Sequence, residues 1–147
     1  MELGGNAPFI VFDDADIDAA VEGAMIAKYR NMGQTCVCTN RFYVQAGVHD
    51  EFVAKLTAAT AAMKVGDGTE DGVMQGPLID AGAVAKVEEL VADATAKGGS
   101  IATGGARHAL GGTYYQPTVI TGATPDMQFA RDEIFGPLSA VFKFDTE

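Results

Sequence analysis

No stretch of the 147-residue chain approaches the ~18 uninterrupted apolar residues of a membrane-spanning helix, so no membrane partner is expected. Nor does the N-terminus carry a cationic, then apolar, then small-residue leader, and a cytoplasmic location is the expectation. Cysteine is scarce. The two present are separated by one residue, which excludes a disulfide framework and fits a reducing compartment. Basic residues number 10 against 20 acidic ones, and the net charge of -10 lacks the electrostatic footprint for phosphate backbones, so no nucleic-acid partner is expected. Internal repeats, low-complexity tracts and linkers are also missing, which leaves one domain over residues 1–147. What remains is ordinary: 48% apolar and 20% charged residues, enough to bury one sizeable core.

The pattern along the chain predicts alternating strands and helices. Asn6 to Phe12 is a short β-rich run with Pro8 near its start, a position an edge strand tolerates. Asp13, Asp14 and Asp16 suit the N-cap and first turn of a helix. Its mostly apolar stripe is Ile17, Val21, Ala24 and Lys28, and it is expected to fail near Gly33 in the left-handed conformation. Arg41 to Gln45 reads as a strand, and His49-Asp50 as the opening of a second helix. A polar loop runs from Gly66 to Pro77, and a third helix starts near Asp80 and ends at Gly98-Gly99. Ile101–Thr103, Tyr115–Thr121 and Leu138–Phe144 complete the strand candidates. Such alternation predicts an α/β fold, a three-layer αβα arrangement around a largely parallel sheet. The loop-like start and the uncovered last strand lead us to expect a piece of a longer polypeptide, incomplete at both ends.

Gly33-Gln34-Thr35-Cys36-Val37-Cys38 is the sharpest chemical feature. A cysteine in a glycine-containing turn past a helix end is either an exposed nucleophile or a buried small apolar residue, and spacing leaves both open. Zinc fits poorly, because Cys36 and Cys38 lack a second ligand pair and neither His49 nor His108 stands at a finger-like spacing. Glu2, beside Leu3-Gly4-Gly5, is a candidate general base or a solvated terminal charge. Arg30 suits an anionic substrate or a helix C-terminus equally. Asp14, Asp16 and Asp18 alternate like a calcium loop, but Ala19 replaces its glycine and Met25 its closing glutamate, so helix capping explains them better. The glycine pairs form neither a P-loop nor a dinucleotide fingerprint. No metal site is expected.

Taken in order, Glu2-Leu3-Gly4-Gly5, Gly33-Gln34-Thr35-Cys36 and Glu133-Ile134-Phe135-Gly136-Pro137 resemble the motifs of the aldehyde dehydrogenase superfamily, including the gap of 34 residues from Glu2 to Cys36. Lys28-Tyr29-Arg30-Asn31, leading into the cysteine turn, and Asn6 to Asp16 resemble the succinate-semialdehyde dehydrogenases, and glutarate-semialdehyde enzymes share much of the pattern. The resemblance covers the whole chain but well under half of a full-length member.

That resemblance implies the superfamily's catalytic-domain fold and oxidation of a semialdehyde, with succinate semialdehyde as the expected substrate and NADP or NAD as cofactor. Cys36 would attack the aldehyde carbon and Glu2 would act as base. Glu133 would bind the nicotinamide ribose, and Phe135 would position the nicotinamide end. Arg30 would grip the distal carboxylate of the substrate. In some relatives the residue at Cys38 forms a reversible disulfide with the nucleophile, which makes Cys38 a candidate redox partner of Cys36 and leaves open whether the bond forms here. The family's coenzyme-binding domain and its oxyanion-hole asparagine lie upstream of Glu2, and the arm that pairs subunits lies downstream. The isolated polypeptide is therefore expected to be inactive, and the full-length enzyme a homo-oligomer. The alternatives are a non-catalytic piece retaining the family's sheet, and a small thiol-redox protein. The latter explains neither Glu2 nor the 133–137 motif.

Overall fold

The computed structural model describes residues 3–146; Glu2 lies outside the described residues. Five strands form one sheet: β1 (Ala7–Val11), β2 (Thr39–Gln45), β3 (Ser100–Thr103), β4 (Thr118–Thr121) and β5 (Leu138–Phe144). Their order across the sheet is β1-β2-β5-β4-β3. All neighbours run parallel except β3, which joins the edge antiparallel to β4. Three helices connect them, α1 (Ile17–Tyr29), α2 (Ala46–Ala61) and α3 (Ala81–Ala96).

Side chains alternate across each strand, so the sheet has two apolar faces to cover. Phe42, Val44, Val119 and Val141 point to one face and pack with Ile17, Val21 and Ala24 of α1 and Phe52 and Leu56 of α2. Ile120, Leu138, Ala140 and Phe142 point to the other and meet Val84, Val87, Leu90 and Val91 of α3. Three layers result. The central strand β5 is buried through its first five residues, which is why its sequence is almost uninterruptedly apolar.

Two helices begin where acidic caps predict. Asp16 accepts from the Ala19 N–H at 3.1 Å, and Asp80 from the Ala83 N–H at 2.8 Å. The second helix departs from expectation. It starts at Ala46, three residues before His49, because β2 runs directly into it without a capping side chain. His49 is buried inside that helix rather than standing at its mouth. The Tyr115–Thr121 run also pairs only from Thr118. Pro117 has no N–H for a ladder, and Tyr115 instead forms a single antiparallel bridge with Arg107.

Among the described residues, no helix is long and apolar enough to cross a membrane, and no group of three or more potential metal ligands occurs.

Candidate active site

The end of α1 is anchored in the interior before the chain turns toward Cys36. Tyr29 is buried, and its hydroxyl donates to the Thr118 carbonyl at 3.2 Å. The same oxygen accepts from the hydroxyls of Thr60 at 3.2 Å and Ser139 at 2.9 Å. Burial pushes the phenol up to about 12, against the pull of those two hydroxyls. Gln75 donates from Nε2 to the Tyr29 carbonyl at 2.8 Å. One residue therefore ties the helix end to α2, β4, β5 and the 66–77 loop.

Beyond it, Asn31, Met32 and Gly33 all adopt left-handed backbone, with φ of 48°, 59° and 73°. For residues other than glycine this costs roughly 1–2 kcal/mol each, and Met32 offsets it by burying its side chain in the α3-side core. Gly33 has no alternative. A Cβ there would collide with the carbonyl oxygen of Gly136 and lie 2.8 Å from its carbon. Gln34 stitches the turn: it donates from its backbone N–H and Nε2 to the Asn31 carbonyl, and its Oε1 accepts from the Ile79 N–H at 3.0 Å.

Cys36 follows, partly exposed, while Cys38 is buried, and both are free thiols. The Cys38 sulfur lies 2.7 Å from the Thr35 hydroxyl and 3.7 Å from the Arg30 carbonyl oxygen. The two sequence readings of a cysteine in this turn are therefore divided between two residues. Cys36 is the partly exposed one, and Cys38 the interior one.

Leu3, Gly4 and Gly5 run beside this turn. A Cβ on Gly5 would strike the Cys36 carbonyl oxygen, and one on Gly4 would come within 2.9 Å of the Glu133 carboxylate. The Gly5 N–H donates to Glu133 Oε1 at 3.1 Å. Gly5 thus separates Cys36 from Glu133 with no side chain between them, and Gly33 touches Gly136 from the other direction. The described parts of the three sequence motifs, more than a hundred residues apart at their extremes, meet at one place.

Phe135 takes a left-handed φ of 49° and lines a hollow of about 300 Å³ with Asn31, Gln34, Pro77 and Ile79. Arg30 is exposed and lines a separate hollow of about 310 Å³ with Ala27, Thr35, Val37 and Cys38. Cys36 and Glu133 are brought together through Gly5, Phe135 faces the Asn31–Gln34 side of the turn, and Arg30 opens beside Thr35 and Cys38.

Three contributors escaped sequence reasoning. Lys28, placed in an apolar stripe and in the Lys28–Asn31 motif but given no role, is 1% exposed, and burial brings its amine from 10.5 down to about 7 against the attraction of Cys38 and Glu133. Asn40 and Asn6 hold the 129–134 segment by side-chain hydrogen bonds. A lysine in an otherwise apolar helical stripe was the physical signal in the sequence; Asn6 and Lys28 stood in the stretches that carry the resemblance, and Asn40 gave no signal.

Comparison with known proteins agrees with this geometry. The family model described as the aldehyde dehydrogenase family matches residues 1–147. The chain is 62% identical to glutarate-semialdehyde dehydrogenase of Pseudomonas aeruginosa, covering all of this chain and 30% of that protein. It is 54% identical to the NADP(+) succinate-semialdehyde dehydrogenase of Escherichia coli, with the same coverage. The crystal structure of succinate-semialdehyde dehydrogenase from Burkholderia pseudomallei superimposes with a TM-score of 0.97 at 63% identity, over 99% of this chain and 30% of that one. The chain thus spans about 30% of the length of the relatives it matches. By motif, by fold and by the meeting of its three motifs, the chain belongs to the aldehyde dehydrogenase family.

Proposed function

We propose that this chain supplies the nucleophile-bearing part of an NAD(P)-dependent semialdehyde dehydrogenase. The convergence of Gly5, Cys36 and Glu133 carries the reading: Gly5 lies against the Cys36 backbone and donates to the Glu133 carboxylate, so a partly exposed cysteine and a carboxylate share one glycine neighbour.

Cys36 attacks the aldehyde carbon as the thiolate, forming a C–S bond and an alkoxide that its own backbone N–H is placed in sequence to stabilise. A nicotinamide dinucleotide, when bound, would supply the acceptor for the hydride that leaves the carbon as the adduct on Cys36 becomes a thioester. Water then cleaves the thioester, releasing the carboxylic acid and restoring the thiol. Glu2 is assigned as the base that activates the thiol or that water, from its position two residues before Gly4 in the family motif. Glu133 is a fit for ribose hydroxyls. Its Oε1 is steadied by the Gly5 N–H, and its Oε2 faces Gly4, where any Cβ would close the cradle. Phe135 is the residue expected against the nicotinamide end. The rest of the cofactor-binding surface is assigned to polypeptide outside these residues, so the isolated chain is expected to be inactive, and the whole enzyme to be a cytoplasmic homo-oligomer.

Arg30 points the proposal toward aldehydes with a distal acid. An exposed guanidinium beside the cysteine turn presents a planar pair of donors to a carboxylate. Relatives named for glutarate and succinate semialdehydes fit that choice. A hybrid enzyme in which these residues replace the matching segment of the Pseudomonas aeruginosa relative tests it. The hybrid should oxidise succinate and glutarate semialdehydes. Arg30→Ala should raise KM for either by roughly 10- to 100-fold, leaving that for an uncharged aldehyde such as butanal near its starting value. Equal effects on both aldehydes would reject carboxylate recognition. An unaffected rate in Cys36→Ala would reject the whole mechanism.

A further inference from the structure

Asn40 is the second residue of β2, four residues after Cys36, and only 2% of it is exposed. Its Nδ2 donates to Asn6 Oδ1 at 2.8 Å, to the Phe129 carbonyl at 2.9 Å and to the Asp132 carbonyl at 3.1 Å. Its Oδ1 accepts from the Ile134 N–H at 2.6 Å. Both sides of the amide are thus engaged, and two hydrogens serve three acceptors. Asn6 extends the cluster by donating to the carbonyls of Ala130 at 3.3 Å and Arg131 at 3.4 Å. Its own carbonyl accepts from Arg41 Nη2 at 2.6 Å.

The partners are what distinguish this side chain from a merely satisfied interior asparagine. Asp132 and Ile134 stand on either side of Glu133, and the segment between the single turn Gln128–Ala130 and β5 belongs to no strand or helix. The Asn40 bonds stand where ladder bonds would. Asn6, meanwhile, follows directly on Gly5, whose N–H holds the Glu133 carboxylate. One amide therefore grips the backbone before Glu133, the backbone after it, and the strand start that carries its carboxylate partner.

We propose that Asn40 is a positioning residue for the cofactor carboxylate: by fixing residues 132 and 134 and the Gly5–Asn6 segment together, it sets where Glu133 stands relative to the Cys36 turn. This rests on the reading of Glu133 as a cofactor group. Replacing Asn40 frees the backbone on both sides of Glu133 while leaving Cys36 on its own scaffold of Asn31, Gln34 and Tyr29. The consequence should fall on cofactor binding more than on the thiol.

The test uses the hybrid enzyme and the dissociation constant of NADPH, followed by nucleotide fluorescence, with cofactor KM, kcat and thermal midpoint measured alongside. Asn40→Ala should weaken NADPH binding about tenfold, and Asn6→Ala should weaken it less but in the same direction. Glu133→Ala should weaken it too. If Asn40 works through Glu133, the double variant N40A/E133A will bind no more weakly than E133A alone. Normal NADPH binding in a folded N40A beside weakened binding in E133A overturns the positioning role and leaves the reading of Glu133 standing. Normal binding in E133A overturns that reading instead. Additive effects in the double variant overturn the proposal, since they mean Asn40 acts on the fold at large. Should N40A fail to fold, N6A decides: unchanged NADPH binding there sinks the proposal.

Discussion

Adding a single methyl group at Gly5 should damage the nucleophile without touching its side chain. The Gly5 backbone is not left-handed, so alanine faces no conformational penalty there and the effect is purely steric. The new Cβ would overlap the Cys36 carbonyl oxygen and lie 3.2 Å from its carbon and 3.8 Å from Cα. Those are backbone atoms, and no rotamer change removes them. Either the 3–6 segment or the cysteine turn has to move by about 1 Å, a displacement that costs on the order of 10²-fold in rate when it falls on a reacting group. Overpacking adds roughly 1–3 kcal/mol of destabilisation. Gly4→Ala is the informative neighbour, because its Cβ meets only the end of the Glu133 side chain, at 2.9 Å. That carboxylate can swing away, so cofactor KM should rise with kcat less affected. Gly76→Ala is the control: nothing lies within 4 Å and its φ is not positive, so stability should hold or gain about 0.4–1 kcal/mol. The assays are kcat and KM in the hybrid enzyme, the urea midpoint, and the rate of Cys36 alkylation by iodoacetamide, to which buried Cys38 contributes little. Wild-type kcat and alkylation rate in Gly5→Ala would refute the close approach.

Two further outcomes test the interior. Lys28 has its amine lowered to about 7 by burial, whereas the unfolded chain titrates it near 10.5. Between those values the unfolded state binds more protons, so this group's contribution to stability rises with pH through that window and is flat below about 7. Wild-type stability minus that of Lys28→Met, from urea midpoints, should therefore grow by a few kcal/mol from pH 7 to pH 10; a constant difference contradicts the buried amine. Tyr29→Phe removes the donor to the Thr118 carbonyl and the acceptor for two buried hydroxyls. It should cost about 1–3 kcal/mol in urea unfolding, and a loss under about 0.5 kcal/mol would contradict the hub.

Features governed by local chemistry were legible before any coordinates. Asp16 and Asp80 cap helices because an acidic side chain meets free N–H groups within three residues, a pattern visible in the letters. Gly33 was legible as a left-handed glycine, although α1 itself ends at Tyr29 and a single tight turn over Arg30–Gly33 follows it. Long-range packing was not legible. Asn31 and Met32 share the left-handed geometry of Gly33, yet nothing in a methionine announces a positive φ; the contact of Gly33 with Gly136 and the burial of Met32 impose it. Asn40 reads as one more polar residue near a strand start, and its partners lie about ninety residues away. Cys36 and Cys38 are chemically identical in sequence, and only the turn assigns one to solvent and the other to the interior. The three motifs named the family by resemblance, and the fold supplied their meeting point.

The most direct measurement is an acid-quenched turnover of the hybrid enzyme with succinate semialdehyde and NADP, digested and read by mass spectrometry. The account predicts a succinyl thioester on the peptide bearing Cys36, its loss in Cys36→Ala, and its persistence in Cys38→Ala. An active hybrid whose acyl group sits on Cys38, or whose Cys36→Ala variant turns over at the wild-type rate, would contradict it.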